Sequence, residues 1–334
     1  MATGVPFPGA DDGTEDGAAP VAPASPSALR KRRLGRLLRF GFLALVVVFA
    51  GVWAWSNRLE VEQAWSRVTL VPVMLSLLAA AIATWFGVPA WRALLAGLGS
   101  QLRLRDAQRV FLMGQLGKYI PGGVWTVLAQ TTMAKELHVP RSRGATAGLM
   151  AILLAVVTSA ALGGVCLGIA GREVLGRYGW LMLLVIPLLA LFHPDVLVWV
   201  GSVASQLTKR NLALQRIPER TLVVAAAWLL VGQVFSGVSF YFLASSISGR
   251  YGNPLFSIGL FGLAAAAGIV VVFAPAGAGA RELILAFGLS TVTDSGSAVL
   301  IVLLSRVVLT IVDVLLAMFA AGIGRARHPA PNTT

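Results

Sequence analysis

Gly114-Gln115-Leu116-Gly117-Lys118-Tyr119-Ile120-Pro121-Gly122-Gly123-Val124-Trp125 interrupts an otherwise apolar segment, residues 110–134. The flanks have the composition of a membrane helix, but this interior does not. Proline removes a backbone donor and clashes with the preceding turn, and each glycine costs about 1 kcal/mol relative to alanine in a helix. Twenty-five residues make about 37 Å of helix, or two legs of about 18 Å, each reaching halfway into a hydrocarbon core of roughly 30 Å. The segment is therefore expected to enter and leave on one side. Its Pro-Gly-Gly turn would lie near mid-membrane, with the freed backbone N–H groups satisfied by protein or water.

A second segment, 255–292, is too long for one span and is broken at Pro275-Ala276-Gly277-Ala278-Gly279. Around these two lie six uninterrupted apolar runs, near 40–56, 70–98, 144–169, 178–193, 221–247 and 296–323. The expected fold is an all-α polytopic integral membrane protein with six full spans and two Pro/Gly-broken, re-entrant segments. Each half then reads span, span, broken segment, span. Three crossings per half make the second half an inverted repeat of the first, and paired broken segments in inverted halves point to a transporter's binding site.

Composition sets the same frame. Of 334 residues, 57% are hydrophobic and 12% charged, against roughly a quarter charged in soluble domains. The net charge of +13 finds its natural partner in anionic lipid, because a nucleic-acid partner would need a solvated basic face that this chain hardly has. Under the six-span arrangement, 19 of the 27 Lys and Arg residues fall inside, five outside and three within the membrane. By the positive-inside bias this places both termini in the cytoplasm and the protein in the cytoplasmic membrane. Residues 1–28 read as a disordered tail and 29–39 as a basic juxtamembrane segment. The transmembrane domain is expected over 40–323, followed by a short cytoplasmic tail, 324–334.

The three cations left in the membrane are Lys118, Arg281 and Arg306, and two acids, Glu282 and Asp313, accompany them. Ionisable groups at that depth cost about 2.5–3.5 kcal/mol each on insertion scales, so they should face the protein interior or water. Lys118, with Tyr119, Pro121, Gly122 and Gly123 beside it, either meets an anionic phosphate at exposed helix N–H groups or simply snorkels to the interface. Arg281 and Glu282 either join a binding path or form an interfacial ion pair, with Glu282 capping the following leg. Arg306 and Asp313 are seven residues apart, on one helix face, as a structural pair or as a polar lining. If both acids pair with arginines, the residual charge rests on Lys118. Lys118→Ala should then spare folding, while Arg306→Ala should strand Asp313. The small-residue pattern Ala160, Gly164, Gly168 is read as a close helix-packing face.

No nucleotide-binding loop, esterase elbow or Cys-based metal site occurs, and the three histidines are scattered. No cofactor, no metal and no enzymatic activity are therefore expected.

Gly117-Lys118-Tyr119-Ile120-Pro121-Gly122-Gly123-Val124-Trp125, together with Pro275-x-Gly277-x-Gly279-x-x-Glu282 and Arg306, resembles the flippase-like transmembrane domain of lysylphosphatidylglycerol synthases. Ala90-Trp91-Arg92 is similar to a Trp-Arg found in relatives at the end of the second span. Trp125, Thr126 and Gln130 stand where many relatives carry an acidic residue and then an arginine. With the chain stopping at Thr334, aminoacyl transfer by a following synthase domain is not expected. The resemblance implies a non-ATP-driven flippase or transporter for an anionic lipid or lipid-linked substrate. The alternatives are a membrane partner subunit of a lipid or glycan synthase, or a membrane-embedded lipid-modifying enzyme.

Overall fold

Regular structure among the described residues is helical throughout. The computed structural model describes residues 58–120, 125–170, 217–248, 253–270 and 279–325, all within one compact unit. Its α-helices are α1 (Arg58–Ser66), α2 (Leu70–Gly97), α3 (Leu104–Gln115), α4 (Trp125–Glu136), α5 (Arg141–Ala170), α6 (Glu219–Ser248), α7 (Pro254–Val270), α8 (Ala280–Leu289) and α9 (Ser295–Arg325). A 3-10 turn, Leu116–Tyr119, extends α3.

Among the described residues, four helices are long and apolar enough to cross a bilayer: α2, α5, α6 and α9. This corrects the expectation of six full spans. The runs at 40–56 and 178–193, counted as spans on hydropathy, lie outside the described residues. The helices of the two hairpins are short: α7 has 17 residues, α3 and α4 have 12 each and α8 has 10. At 1.5 Å per residue none of these reaches across roughly 30 Å of hydrocarbon. The inverted repeat needed three crossings in each half, so it falls with the six-span count. The expected tails, 1–28 and 29–39, also lie outside the described residues, as do 326–334.

The long helices pair where small side chains let backbones approach. α2 and α6 run antiparallel: Thr69 donates its N–H to the Ser246 carbonyl at 3.1 Å, Ser76 and Ser239 share a hydrogen bond of 2.9 Å, and Gly97 lies under Thr221. At mid-height Phe86 of α2 stacks on both Trp228 and Phe235 of α6. α5 and α7 are also antiparallel, with Gly262 against the Ser159 carbonyl and Gly163. That contact uses the positions immediately before the expected Ala160 and Gly164, so the small-residue face is internal packing and its register is one residue off.

The two broken segments form helical hairpins. Gly114 and Gly117 of the first leg lie against Gln130 and the Thr126 backbone of α4, so α3 and α4 are antiparallel. α7 and α8 fold back in the same sense, with Gly288 on Leu260 and Arg281 over Phe261.

Two apolar cores lie towards opposite ends of the bundle. Trp91, Leu94, Leu95, Phe111 and Leu154 anchor one, and Phe240, Ile247, Leu260, Leu285 and Ile301 the other. Basic residues gather around the first. Arg92 donates from Nε to the Leu102 carbonyl at 2.8 Å, and Arg143 donates from Nη1 to the Gly99 carbonyl at 2.9 Å. Arg103, Arg105, Arg109 and Arg220 are exposed at that same end.

Candidate functional site

α9 passes both hairpins and offers each a charge of opposite sign. Its Asp313 carboxylate is completely buried, with 0% of its side chain exposed, and Oδ2 takes Lys118 Nζ at 2.6 Å from the 3-10 turn of the first hairpin. The same oxygen accepts the Tyr119 hydroxyl at 2.5 Å. Both side chains come from the 3-10 turn Leu116–Tyr119 that extends α3. Lys118 keeps a third of its side chain exposed, so the pair is buried only from the acid's side.

Two turns earlier on the same face of α9, Arg306 donates from Nε to Glu282 Oε1 of the second hairpin at 2.6 Å. Glu282 also closes the start of α8: its Oε2 accepts the Gly279 N–H at 2.7 Å, a capping-box contact. Gly279 sits at φ 98°, a left-handed conformation that favours glycine, which explains why this short leg begins there. Glu282 thus serves as the helix-start acid that its position in sequence predicts, while also pairing with Arg306.

Arg281 is the cation left over. Its guanidinium lies 4.7 Å from the centre of the Phe261 ring, a cation–π contact. Its Nε and Nη2 are buried without a hydrogen-bond partner among the described residues, and Arg306 Nη2 and Asp313 Oδ1 are in the same state. Arg306, Glu282, Tyr119 and Asp313 all lie within electrostatic reach of Arg281, so the six side chains form one cluster. With every group ionised, three cations face two carboxylates.

This arrangement corrects three expectations. Arg306 and Asp313 do not pair with each other, although they share a helix face, because each meets a different hairpin. The residual charge rests on Arg281 and not on Lys118. Removing Lys118, and not Arg306, would strand Asp313. Pro121, Gly122 and Gly123 lie outside the described residues. Trp91, from the Trp-Arg pair, is fully buried and packs its ring 6.3 Å from Phe111, so it belongs to the core. Phe261 was not anticipated, since an aromatic in an apolar helix carries no signal until its neighbour across the hairpin is known.

The profile described as the lysylphosphatidylglycerol synthase TM region matches residues 38–317, most of the chain. This chain belongs to that family. The match includes both hairpins, α9 up to Ala317 and every member of the charge cluster. In this lysylphosphatidylglycerol synthase TM-region protein, membership and four apolar spans together establish a multi-pass, lipid-contacting membrane protein. A search of curated proteins returns no match.

Proposed function

We propose that the chain moves a phosphate-bearing anionic lipid, or a lipid-linked anion, between membrane leaflets without nucleotide hydrolysis and without chemical change to it. One observation carries this reading: Arg281 is held inside the bundle as a cation beyond what the two local carboxylates neutralise, with buried N–H groups unmatched among the described residues. An unpaired buried charge is costly, and a phosphate oxygen is acceptor-only and suits a guanidinium fork. Two hairpins whose legs stop short of a full crossing leave the cluster at a depth a headgroup must pass. Arg306 and Asp313 both lie in the central part of the 31-residue α9. Family membership supports lipid as the substrate class. The basic end of the bundle faces the cytoplasm in this reading, following the positive-inside bias, with both termini there and the protein in the cytoplasmic membrane.

The test is reconstitution of the full chain into liposomes carrying a trace of headgroup-labelled fluorescent anionic phospholipid, with dithionite added outside. Protein-free vesicles keep the inner-leaflet half of the signal. Vesicles with the protein are expected to lose most of it, and Arg281→Gln at matched density should lose it much more slowly. Protection equal to that of empty vesicles would sink the proposal.

A further inference from the structure

Lys118 also lines a cleft of about 150 Å³ between α2, α3 and α6. Its polar lining is Thr84, Gln115, Lys118, Gln233 and Ser236. Thr84 and Gln233 lie at the midpoints of α2 and α6, two of the four membrane-crossing helices. Neither Gln115 nor Gln233 enters a side-chain hydrogen bond with the described residues. Unpaired amides at mid-membrane depth are expensive and mark a site for a polar occupant.

The lining determines what that occupant is. Glutamine, threonine and serine each donate and accept, so their best partner is a group that also does both, which is a hydroxyl. The ammonium of Lys118 adds a place for an anion, since a third of that side chain remains exposed beside Asp313. No carboxylate lines the cleft among the described residues. The nearby acid, Asp313, is buried and holds Lys118 and Tyr119 on one oxygen. A headgroup carrying its own ammonium would therefore meet Lys118 with no counter-charge. The volume is below the roughly 300–1,000 Å³ of pockets that enclose a whole drug-sized ligand. It suits a headgroup whose acyl chains stay in the bilayer.

We propose that the cleft bounded by Gln115, Lys118 and Gln233 recognises an anionic polyol phosphate, a glycerol- or sugar-phosphate headgroup, and discriminates against headgroups that carry an added amine. This rests on the lipid-translocation reading and sharpens its substrate class. Translocation and headgroup selection can nevertheless fail separately.

The experiment titrates the full-length protein, in neutral detergent, with short-chain phosphatidylglycerol, phosphatidylmethanol, lysyl-phosphatidylglycerol and free sn-glycerol 3-phosphate. Bound fractions are read by native mass spectrometry. Phosphatidylmethanol keeps the single phosphodiester charge and lacks the hydroxyls. Phosphatidylglycerol should bind roughly tenfold more tightly than phosphatidylmethanol, the size of one to two net hydrogen bonds. Lysyl-phosphatidylglycerol should bind more weakly than phosphatidylglycerol. Gln233→Leu should close the glycerol–methanol gap without changing phosphatidylmethanol binding, and Gln115→Leu provides the same test should the first variant fold poorly. Equal binding of phosphatidylglycerol and phosphatidylmethanol by the unmodified protein would overturn the inference, as would preference for the lysyl lipid. Free glycerol phosphate binding as tightly as phosphatidylglycerol would keep the polyol-phosphate chemistry and overturn its lipid source. If Arg281→Gln leaves binding of every anionic lipid intact, the translocation reading fails while the cleft's selectivity stands.

Discussion

The two hairpins meet α9 through mirror-image ion pairs that differ in their balance. In the α3–α4 hairpin the cation is on the hairpin and the acid on the span: Lys118 with Asp313, one to one, around a carboxylate with no exposed surface. In the α7–α8 hairpin the acid is on the hairpin and the cation on the span: Glu282 with Arg306, both about a quarter exposed, with Arg281 as a second, unmatched cation. The first pair has the character of a clamp, because breaking it leaves a charge with no route to solvent. The second carries a cation in excess of its acid, which the proposed function assigns to an anionic substrate. Counting charges in the sequence gave both regions the same weight, whereas pairing them in space separates a one-to-one ion pair from a region with a cation in excess.

The largest effect should come from removing the clamp. Lys118→Ala strands Asp313 and should destabilise the protein towards the lower end of the about 3–5 kcal/mol typical of a broken buried pair, since Lys118 itself is partly exposed. A drop in monodisperse yield and in the unfolding midpoint in detergent would register it. Lys118→Met combined with Asp313→Leu should restore most of the loss, because an apolar pair of similar size carries no desolvation penalty. If the single variant is as stable as the parent, the Lys118–Asp313 pair is not a clamp and the two hairpins do not differ in this respect.

Next is Arg281→Gln. It removes the unmatched cation, so folded yield should be unchanged or higher. Anionic-lipid translocation per folded molecule should fall roughly tenfold or more, in line with about 1.5–3 kcal/mol for a hydrogen bond to a charged group. Loss of folding without a specific transport defect would reverse the roles assigned to the two regions.

Glycines in the two hairpins sharpen the comparison. A Cβ at Gly117 would come within 2.6 Å of the Thr126 backbone nitrogen, whereas one at Gly288 would meet the methyl end of Leu260 at 2.3 Å. Backbone cannot yield as a side chain can. Gly117→Ala should therefore cost about 1–3 kcal/mol, and Gly288→Ala less, as read by paired thermal melts. The reverse order would mean that the first hairpin is the looser one.

The smallest effect concerns the start of α9. Asp294 Oδ1 accepts the Ser297 N–H at 2.8 Å. Partial burial works to raise its pKa, but the hydrogen bonds from Ser297 and the charge of Arg67 outweigh it and hold the carboxyl below its ordinary value. The folded pKa is depressed, so the stabilisation is complete above the unfolded carboxyl's range and is lost as pH falls through the folded pKa. Asp294→Ala should cost about 1 kcal/mol at neutral pH, and the gap to the parent should shrink on acidification below about pH 4. A gap independent of pH would show that the cap acts through packing alone.

The sequence by itself determined that this is a helical membrane protein with two hydrophobic segments broken at Pro/Gly clusters. It also determined which charges must be kept from lipid, and it carries the motifs of the family. Those conclusions follow from local quantities: the length of an apolar run, the intolerance of helix interiors for proline and glycine, and the cost of a charge in hydrocarbon. Glu282 as a helix-start acid was legible for the same reason, since a capping box spans three residues. Of the six expected spans, the four that fall on described residues are long apolar helices, and the runs at 40–56 and 178–193 lie outside the described residues. The pairing was not legible. Arg306 and Asp313 share a face seven residues apart, which invites a mutual bond, yet each is claimed by a different hairpin at a sequence separation of 24 or about 195 residues. Gln233 could have been singled out as an amide in the middle of an apolar span. That it faces Thr84, Gln115 and Lys118 across a cleft depends on the antiparallel register of α2 and α6, set by small residues at their contact. Only the tertiary structure decides which charge is left without a partner, because neutralisation is a property of distances and the chain order does not contain them.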